Sequence, residues 1–371
     1  ESGFGNASSV HSAGDRAREI IREARVQVAH LVDAEFEDIV FTSGGTEANN
    51  LALTGFDKIT PGVTPKVVTS PVEHSSVRAS CENLQQRGVN VEIVPVDSDG
   101  IIDLDALKET LRQPTSLVSI QWINNETGVI QPIKQISRLC DDASVPLHVD
   151  AAQAIGKIPI SFRNSGIDLL SLTAHKIHGP PGIGALVSNR KLPIHPLIEG
   201  GDQEFGVRGG TENLPGIAGF GCAADRRVES FDKTVDRLTK LRDSFEQQVT
   251  QRISDVVING GSADRVCNTT NLRFKDVDGQ ALVIRLDQAG VQCSQSSACT
   301  NQRPEPSYVL RAMGLDETAA YESARFAVAE DTTMDDLDFA VTHIVDLCEQ
   351  LRKFRRPFFL TRPQADLEAA R

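Results

Sequence analysis

The chain has 371 residues, 40% apolar and 24% charged, and its 51 acidic against 38 basic side chains give a formal charge of -13. A net negative field repels phosphate backbones and argues against general nucleic-acid binding, while no apolar run approaches the roughly 20 residues of a membrane span. The length exceeds what one core supports and predicts two domains, and seven cysteines without CxxC pairs suit a reducing cytoplasm better than a disulfide framework.

Helical spacing of apolar residues in "GDRAREIIREARVQVAHLVDA" predicts a helix over 14–34, and "DIVFTSG" after it reads as a strand ending in glycine. The alternation continues with "KVVTS" then "HSSVRASCENLQQRG", "VEIVPVD" then "DLDALKETLRQ", and "LVSIQWI" then "QPIKQISRLCDDA". Next come "PLHVDAA", "DLLSLTAH" and "GALVSN". Strands alternating with helices predict an α/β fold with a mostly parallel sheet covered on both faces. From Phe231 the pattern changes to a long amphipathic helix, "FDKTVDRLTKLRDSFEQQV", and then to "DVVING", "NTTNLRF", "QALVIRLDQAG", "SARFAVA" and "MDDLDFAVTHIVDLCEQLRKF". This predicts a smaller α+β C-terminal domain at 231–371, beside a large domain at 15–230, with residues 1–14 packing near the small one. The basic stretch "LRKFRRPFFLTR" at 351–362 reads as a solvated helix end.

In parallel sheets ligands sit beyond the carboxyl ends of the strands. The segments found there are "SGGTEANN", "SPVEHSS", "INNETG", "DAAQ" and "TAHKIHGPPG". Gly44, Gly45 and Thr46 lie between a strand and a helix, where exposed N–H groups can cradle a phosphate. Asp150 ends an apolar strand, where a carboxylate needs a cationic or donor partner. Lys176 follows another, and desolvation there lowers a lysine's pKa and suits it to a Schiff base. Together they match what pyridoxal 5'-phosphate requires: a lysine for the aldehyde, a carboxylate for the pyridinium nitrogen and donors for the phosphate. His74 is placed to stack on a flat ring or to serve as a core imidazole, and Asn125 and Gln153 can donate to ring or substrate oxygens. His175 and His178 form an HxxH pair, but no third ligand of matching spacing accompanies it and no metal is expected.

With these segments in order, the chain resembles the group I cysteine desulfurases of the NifS/IscS type, class V aminotransferase-like enzymes of pyridoxal-phosphate fold type I. The likeness runs from Phe4-Gly5-Asn6 to about Leu337 and rests on "FTSGGTEANN", "VEHSSV", "NNETGVIQP", "HVDAAQAIGK", "TAHKIHGPPGIGAL", "RGGTENLPGI" and "SSACTNQRPEPSYVLRAMG". It implies that Lys176 carries the cofactor, Asp150 pairs with its ring nitrogen, Gln153 reaches its ring hydroxyl and His74 stacks on its face. Gly45, Thr46, Thr173 and His175 would bind the phosphate, joined by Thr211 from the second subunit of a homodimer. Asn125 and Arg325 would hold the carboxylate of L-cysteine, and Cys299, rather than Cys293, would accept the sulfur and hand it to an acceptor protein.

This chain departs from the family pattern in several respects. No counterpart of the family's "YLDNAATT" strand precedes Phe4, which implies either a further terminal segment or an altered entrance to the site. Ser296 stands for a glycine in the cysteine loop, Ala329 and Glu330 for glycine and arginine after Arg325, and Phe205 for an arginine in "GGDQEFG". The tail lacks the housekeeping type's scaffold-docking ending, and "ACTNQRPEPS" is closer to the type that feeds DNA phosphorothioate modification than to those serving Fe-S assembly or tRNA thiolation. Two rival readings stand beside the desulfurase: a selenocysteine lyase or other β-eliminating member of the fold, and a catalytically degenerate scaffold that retains the cofactor.

Overall fold

Residues 5–56, 65–189, 192–295 and 306–353 are described by the computed structural model. In chain order its elements are α1 (Ser12–Leu31), β1 (Ile39–Thr42), α2 (Gly45–Thr54), β2 (Lys66–Thr69), α3 (Ser75–Gln86), β3 (Asn90–Ile93) and α4 (Leu104–Thr110). These are followed by β4 (Leu117–Gln121), α5 (Ile133–Ala143), β5 (Leu147–Asp150), α6 (Phe162–Ser165), β6 (Leu169–Thr173) and β7 (Gly184–Ser188). The remainder comprises α7 (Leu214–Arg252), β8 (Val256–Ile258), β9 (Thr269–Phe274), α8 (Gly279–Gln288), α9 (Tyr308–Ala312), α10 (Glu317–Tyr321), β10 (Ser323–Ala327) and α11 (Met334–Lys353).

The larger sheet has the order β1-β7-β6-β5-β4-β2-β3. Neighbours from β3 through to β6 are parallel, and β7 runs antiparallel to both β6 and β1. Every residue of β2, β4, β5 and β6 is buried, as expected of a sheet covered on both faces. Alternate residues feed two cores. Val118, Ile120, Val149 and Leu172 join Val28 of α1 and Phe220 of α7, while Leu117, Leu169 and Leu186 meet Leu51 of α2 and Val77 of α3. Edge strand β3 is only partly buried.

Strands β10, β9 and β8 form a second, antiparallel sheet, against which α7 and α8 pack, with α11 lying on those two helices. The class, α/β of fold type I with a smaller α+β part, agrees with the sequence expectation. The expected boundary at 230/231 falls inside α7, a helix that serves both sheets: Phe220 lies in the core of the large one, and Phe245 packs 5.1 Å from Phe326 of the small one. The helix starts 17 residues earlier than the sequence pattern indicates, because its first turns contain Gly216, Gly219 and Gly221, which lower helix propensity. Close packing explains Gly221: a Cβ there would come within 2.7 Å of Ala24 Cβ on α1.

Candidate active site

The site forms at the carboxyl ends of the parallel strands. Asp150, the last residue of β5, is 2% exposed and sits in register with Gln121 of β4 and Ser171 of β6. Its Oδ2 accepts from Asn49 Nδ2 at 2.7 Å and its Oδ1 from the Ala152 N–H at 3.0 Å. It makes no ion pair among the described residues. Asn49, on α2, also donates to Ser76 Oγ at 2.9 Å, and its own Oδ1 is buried without a hydrogen-bond partner. One register step below Asp150, His148 is fully buried between Ser119 Oγ (2.8 Å) and Ser171 Oγ (2.9 Å), and burial pushes its pKa down to about 3. The imidazole is therefore neutral, and the row Ser119–His148–Ser171 braces the strand ends without adding charge.

His74 caps α3. Its Nδ1 accepts from the Ser76 N–H at 3.2 Å, so in the neutral ring the proton sits on Nε2. The preceding Glu73 is wholly buried. Burial raises its pKa to about 8, against hydrogen bonds from Ser70 and the Gln121 N–H and with a contribution from Asp150. Behind this turn Tyr308 of α9 donates to the Glu73 carbonyl at 2.8 Å, and Asn124 donates to the Val72 carbonyl at 3.0 Å.

Lys176 lies in the single 3-10 turn that follows β6. Burial first, and the Arg325 guanidinium next, hold its pKa below the ordinary lysine value, with Asp150 opposing them. In the same turn Thr173 Oγ1 and His175 Nδ1 are 2.9 Å apart, and burial, Lys176 and Lys157 lower the pKa of His175. The start of α2 reaches this place: a Cβ on Gly45 would sit 3.6 Å from Thr173 Cβ and 3.7 Å from Ala152 Cβ. Gly44, with φ 154° and ψ 179°, occupies backbone space open only to glycine. Glu47, in the first turn of α2, accepts from the Ser43 N–H at 2.8 Å and from Arg208 Nε at 3.0 Å.

Arg325 reaches across from the small sheet. Its Nη1 donates to the Asn125 carbonyl at 3.1 Å, and its backbone pairs with Ser294. The Asn125 side chain accepts from Gln121 Nε2 at 3.2 Å. Gln153 Oε1 accepts from Lys157 Nζ at 2.9 Å; this leaves its amide as a donor. Burial, then Lys176, lower the pKa of Lys157 to about 8. Thr46 and Thr211 are exposed, the former at the start of α2 and the latter just ahead of α7. Cys299 and Ser296 lie outside the described residues. Cys293 is described: it packs against the core, and burial, with Asp287 adding and Arg325 opposing, pushes its thiol up to about 12. His175 and His178 turn to Thr173 and Glu330, and no cluster of three metal-ligating side chains occurs among the described residues.

Sequence reasoning missed Asn49, Ser76, His148, Glu73 and Lys157. His148 was within reach of it, since two residues before Asp150 on a strand means the same face. Phe205 is explained by the structure. Arg25 forks onto Glu204 through bonds of 2.7 and 2.8 Å, and its guanidinium lies 4.9 Å from the Phe205 ring centroid. An arginine at 205 would set a second cation there.

The family model of class-V aminotransferases matches residues 1–339. A protein named cysteine desulfurase IscS from Dictyoglomus turgidum is 42% identical over 351 residues, 94% of this chain and 89% of that protein. Among solved structures, a NifS-like protein superposes with a TM-score of 0.86 at 32% identity, covering 94% of this chain and 92% of that one. DndA from Streptomyces lividans superposes with a TM-score of 0.74 at 36% identity, covering 87% and 92%. With its parallel sheet, its lysine turn after β6 and a family match running through both sheets, this chain belongs to the class-V aminotransferase family.

Proposed function

We propose that the chain is a pyridoxal-phosphate-dependent cysteine desulfurase that converts L-cysteine to L-alanine and leaves sulfane sulfur on Cys299 for an acceptor protein. The observation that carries this reading is the meeting of Asp150 at the end of β5, Lys176 in the turn after β6 and Arg325 reaching from the small sheet to the Asn125 carbonyl. Burial first, and the Arg325 guanidinium next, hold the pKa of the Lys176 amine below the ordinary lysine value, with Asp150 opposing them. Relatives named for the same activity support it.

The donor set fits the cofactor. A buried carboxylate held by two neutral donors and lacking an ion pair among the described residues, Asp150, suits a ring N–H. The glycine approach of α2 to Thr173 suits a phosphate. Lys176 would hold the cofactor covalently, His74 would lie on its face, and Gln153, its carbonyl engaged by Lys157, would donate to its ring hydroxyl. Gly45, Thr46, Thr173 and His175 would bind the phosphate, with Thr211 supplied by the partner in a homodimer. When bound, the cofactor supplies an electron sink for the substrate's α-carbon.

The chain's own residues do the rest. Arg325, with Asn125, orients the substrate carboxylate through a planar fork. Lys176, with its lowered pKa, takes and returns the α-proton. The thiolate of Cys299 attacks the substrate sulfur; the C–S bond breaks, the S–S bond forms, and the carbon gains a proton in place of sulfur. Cysteine plus thiol thus gives alanine plus persulfide, with no outside oxidant. The loop sequence "ACTNQRPEPS" favours an acceptor in DNA phosphorothioate modification over Fe-S assembly or tRNA thiolation. The test is mass spectrometry of the protein after cysteine treatment, with alanine measured alongside. One added sulfur on Cys299 with matching alanine is expected. Selenocysteine turnover without cysteine turnover would replace this reading with a selenocysteine lyase.

A further inference from the structure

Glu330 lies five residues beyond Arg325 and three beyond the end of β10. One carboxylate oxygen, Oε1, is engaged by the guanidinium of Arg227 and, at 3.3 Å, by Nε2 of His178. Its carbonyl accepts from Arg237, which also donates to the Thr332 carbonyl at 2.6 Å. Both the side chain and the backbone at this position are therefore fixed to α7.

Arg227 is the centre of the arrangement. Its side chain is 7% exposed, and its stem is wedged between two turns that carry the site. A Cβ on Gly156 would lie 2.7 Å from Arg227 Cγ and 2.6 Å from Ile177 Cγ2. Gly156 stands in the turn of Asp150 and Gln153, and Ile177 directly follows Lys176. His178, at φ 62°, closes the lysine turn. A buried guanidinium needs a counter-charge, and Glu330 provides it from the small sheet. An arginine at 330 would instead face Arg227 as a like charge.

From this we infer that Glu330, paired with Arg227 and 3.3 Å from His178 Nε2, is a positioning residue that clamps β10, and Arg325 with it, against the turn bearing Lys176. The consequence for turnover rests on the reading of Arg325 as the carboxylate anchor. A substrate held at one end by Arg325 and at the other by the lysine turn is bound fully only when the two are correctly spaced, so a loosened clamp weakens binding of the carboxylate.

The experiment uses the full-length holoenzyme with Glu330→Gln, which keeps the shape and removes the charge. His178→Ala, at an exposed position, serves as a milder second variant. Hydrogen exchange followed by mass spectrometry reads the clamp itself, and steady-state kinetics reads its consequence. Expected for Glu330→Gln are faster exchange in 174–179 and 323–327, unchanged exchange in β4 and β5, and a KM for L-cysteine about tenfold higher with kcat within about twofold. His178→Ala should shift both readouts less, and the double variant should be no worse than Glu330→Gln alone, because both act through one carboxylate. Parental exchange at 323–327 in both single variants would overturn the clamp. So would a parental KM in Glu330→Gln where Arg325→Ala raises it. Faster exchange with a KM unchanged in both Glu330→Gln and Arg325→Ala would uphold the clamp and remove Arg325 as the carboxylate anchor.

Discussion

Replacing Glu73 by glutamine should change how stability depends on pH more than it changes stability at any one pH. Glu73 is fully buried; its Oε1 accepts from Ser70 Oγ at 2.6 Å, and its Oε2 has no hydrogen-bond partner. Burial raises its pKa from 4.5 to about 8. A carboxyl with a folded pKa above the unfolded value is preferred neutral in the fold, so its stabilising contribution is complete below pH 4.5 and is lost as pH rises towards 8. The gap from 4.5 to about 8 is about 3.5 units. At about 1.36 kcal/mol per unit, that is on the order of 5 kcal/mol across the window. Glutamine has the same shape and no titration, so its own packing cost, constant with pH, cancels when differences are taken. Urea unfolding of both proteins at saturating cofactor, from about pH 4.5 to 8.5, should show Glu73→Gln gaining on the parent by roughly this amount as pH rises. Parallel curves would refute the reasoning and mean that Glu73 is ionised in the fold.

Lys176→Ala should leave no cofactor fixed to the protein by borohydride and should make no alanine; cofactor still fixed covalently would assign the role to another lysine. Arg325→Ala should raise KM for cysteine with cofactor affinity unchanged, since a charge-assisted pair is worth about 1.5 to 3 kcal/mol, or roughly 10- to 150-fold. Cys299→Ser should still bind cysteine yet yield almost no alanine and no persulfide, because a hydroxyl is scarcely ionised and stores no sulfane sulfur. Cys293→Ser should behave as the parent: with its thiol at about 12, its thiolate fraction near neutrality is below about one in ten thousand. The reverse pattern in the two cysteine variants would move the nucleophile to Cys293.

Strand and helix alternation was legible because buried parallel strands read as apolar runs, and Asp150 and Lys176 were legible because each follows such a run as a polar exception. Less legible were features set by tertiary packing. In the first turns of α7, Gly221 lets α1 cross at Ala24 and Gly219 lies against Pro180, contacts no local pattern reveals. Helices α6, α9 and α10, of four or five residues each, are too short for a 3.6-residue period to register. Asn49 and Ser76 look like ordinary polar helix positions. Only the pairing of α2 with α3 above the sheet turns them towards Asp150.

The departures from the family pattern bear on whether the site is intact. Phe205 lies against Arg25, which Glu204 holds, and Glu330 supplies the counter-charge to Arg227. Ala329 needs no left-handed backbone and donates its N–H to Thr332 Oγ1 at 3.0 Å. Among the described residues, the replacements at 205, 329 and 330 each have a partner, so these substitutions form contacts rather than erosion. The electrostatics point the same way. Burial and the nearby Arg325 depress the pKa of Lys176, a cost that the fold bears with Asp150 only partly relieving it. A scaffold without catalytic work would gain stability by losing that amine, since desolvating a cation destabilises the fold unless it is fully paired. Retention of the amine, the carboxylate and the guanidinium at one place therefore favours a working enzyme over a degenerate one. Alanine production by the purified protein decides between them.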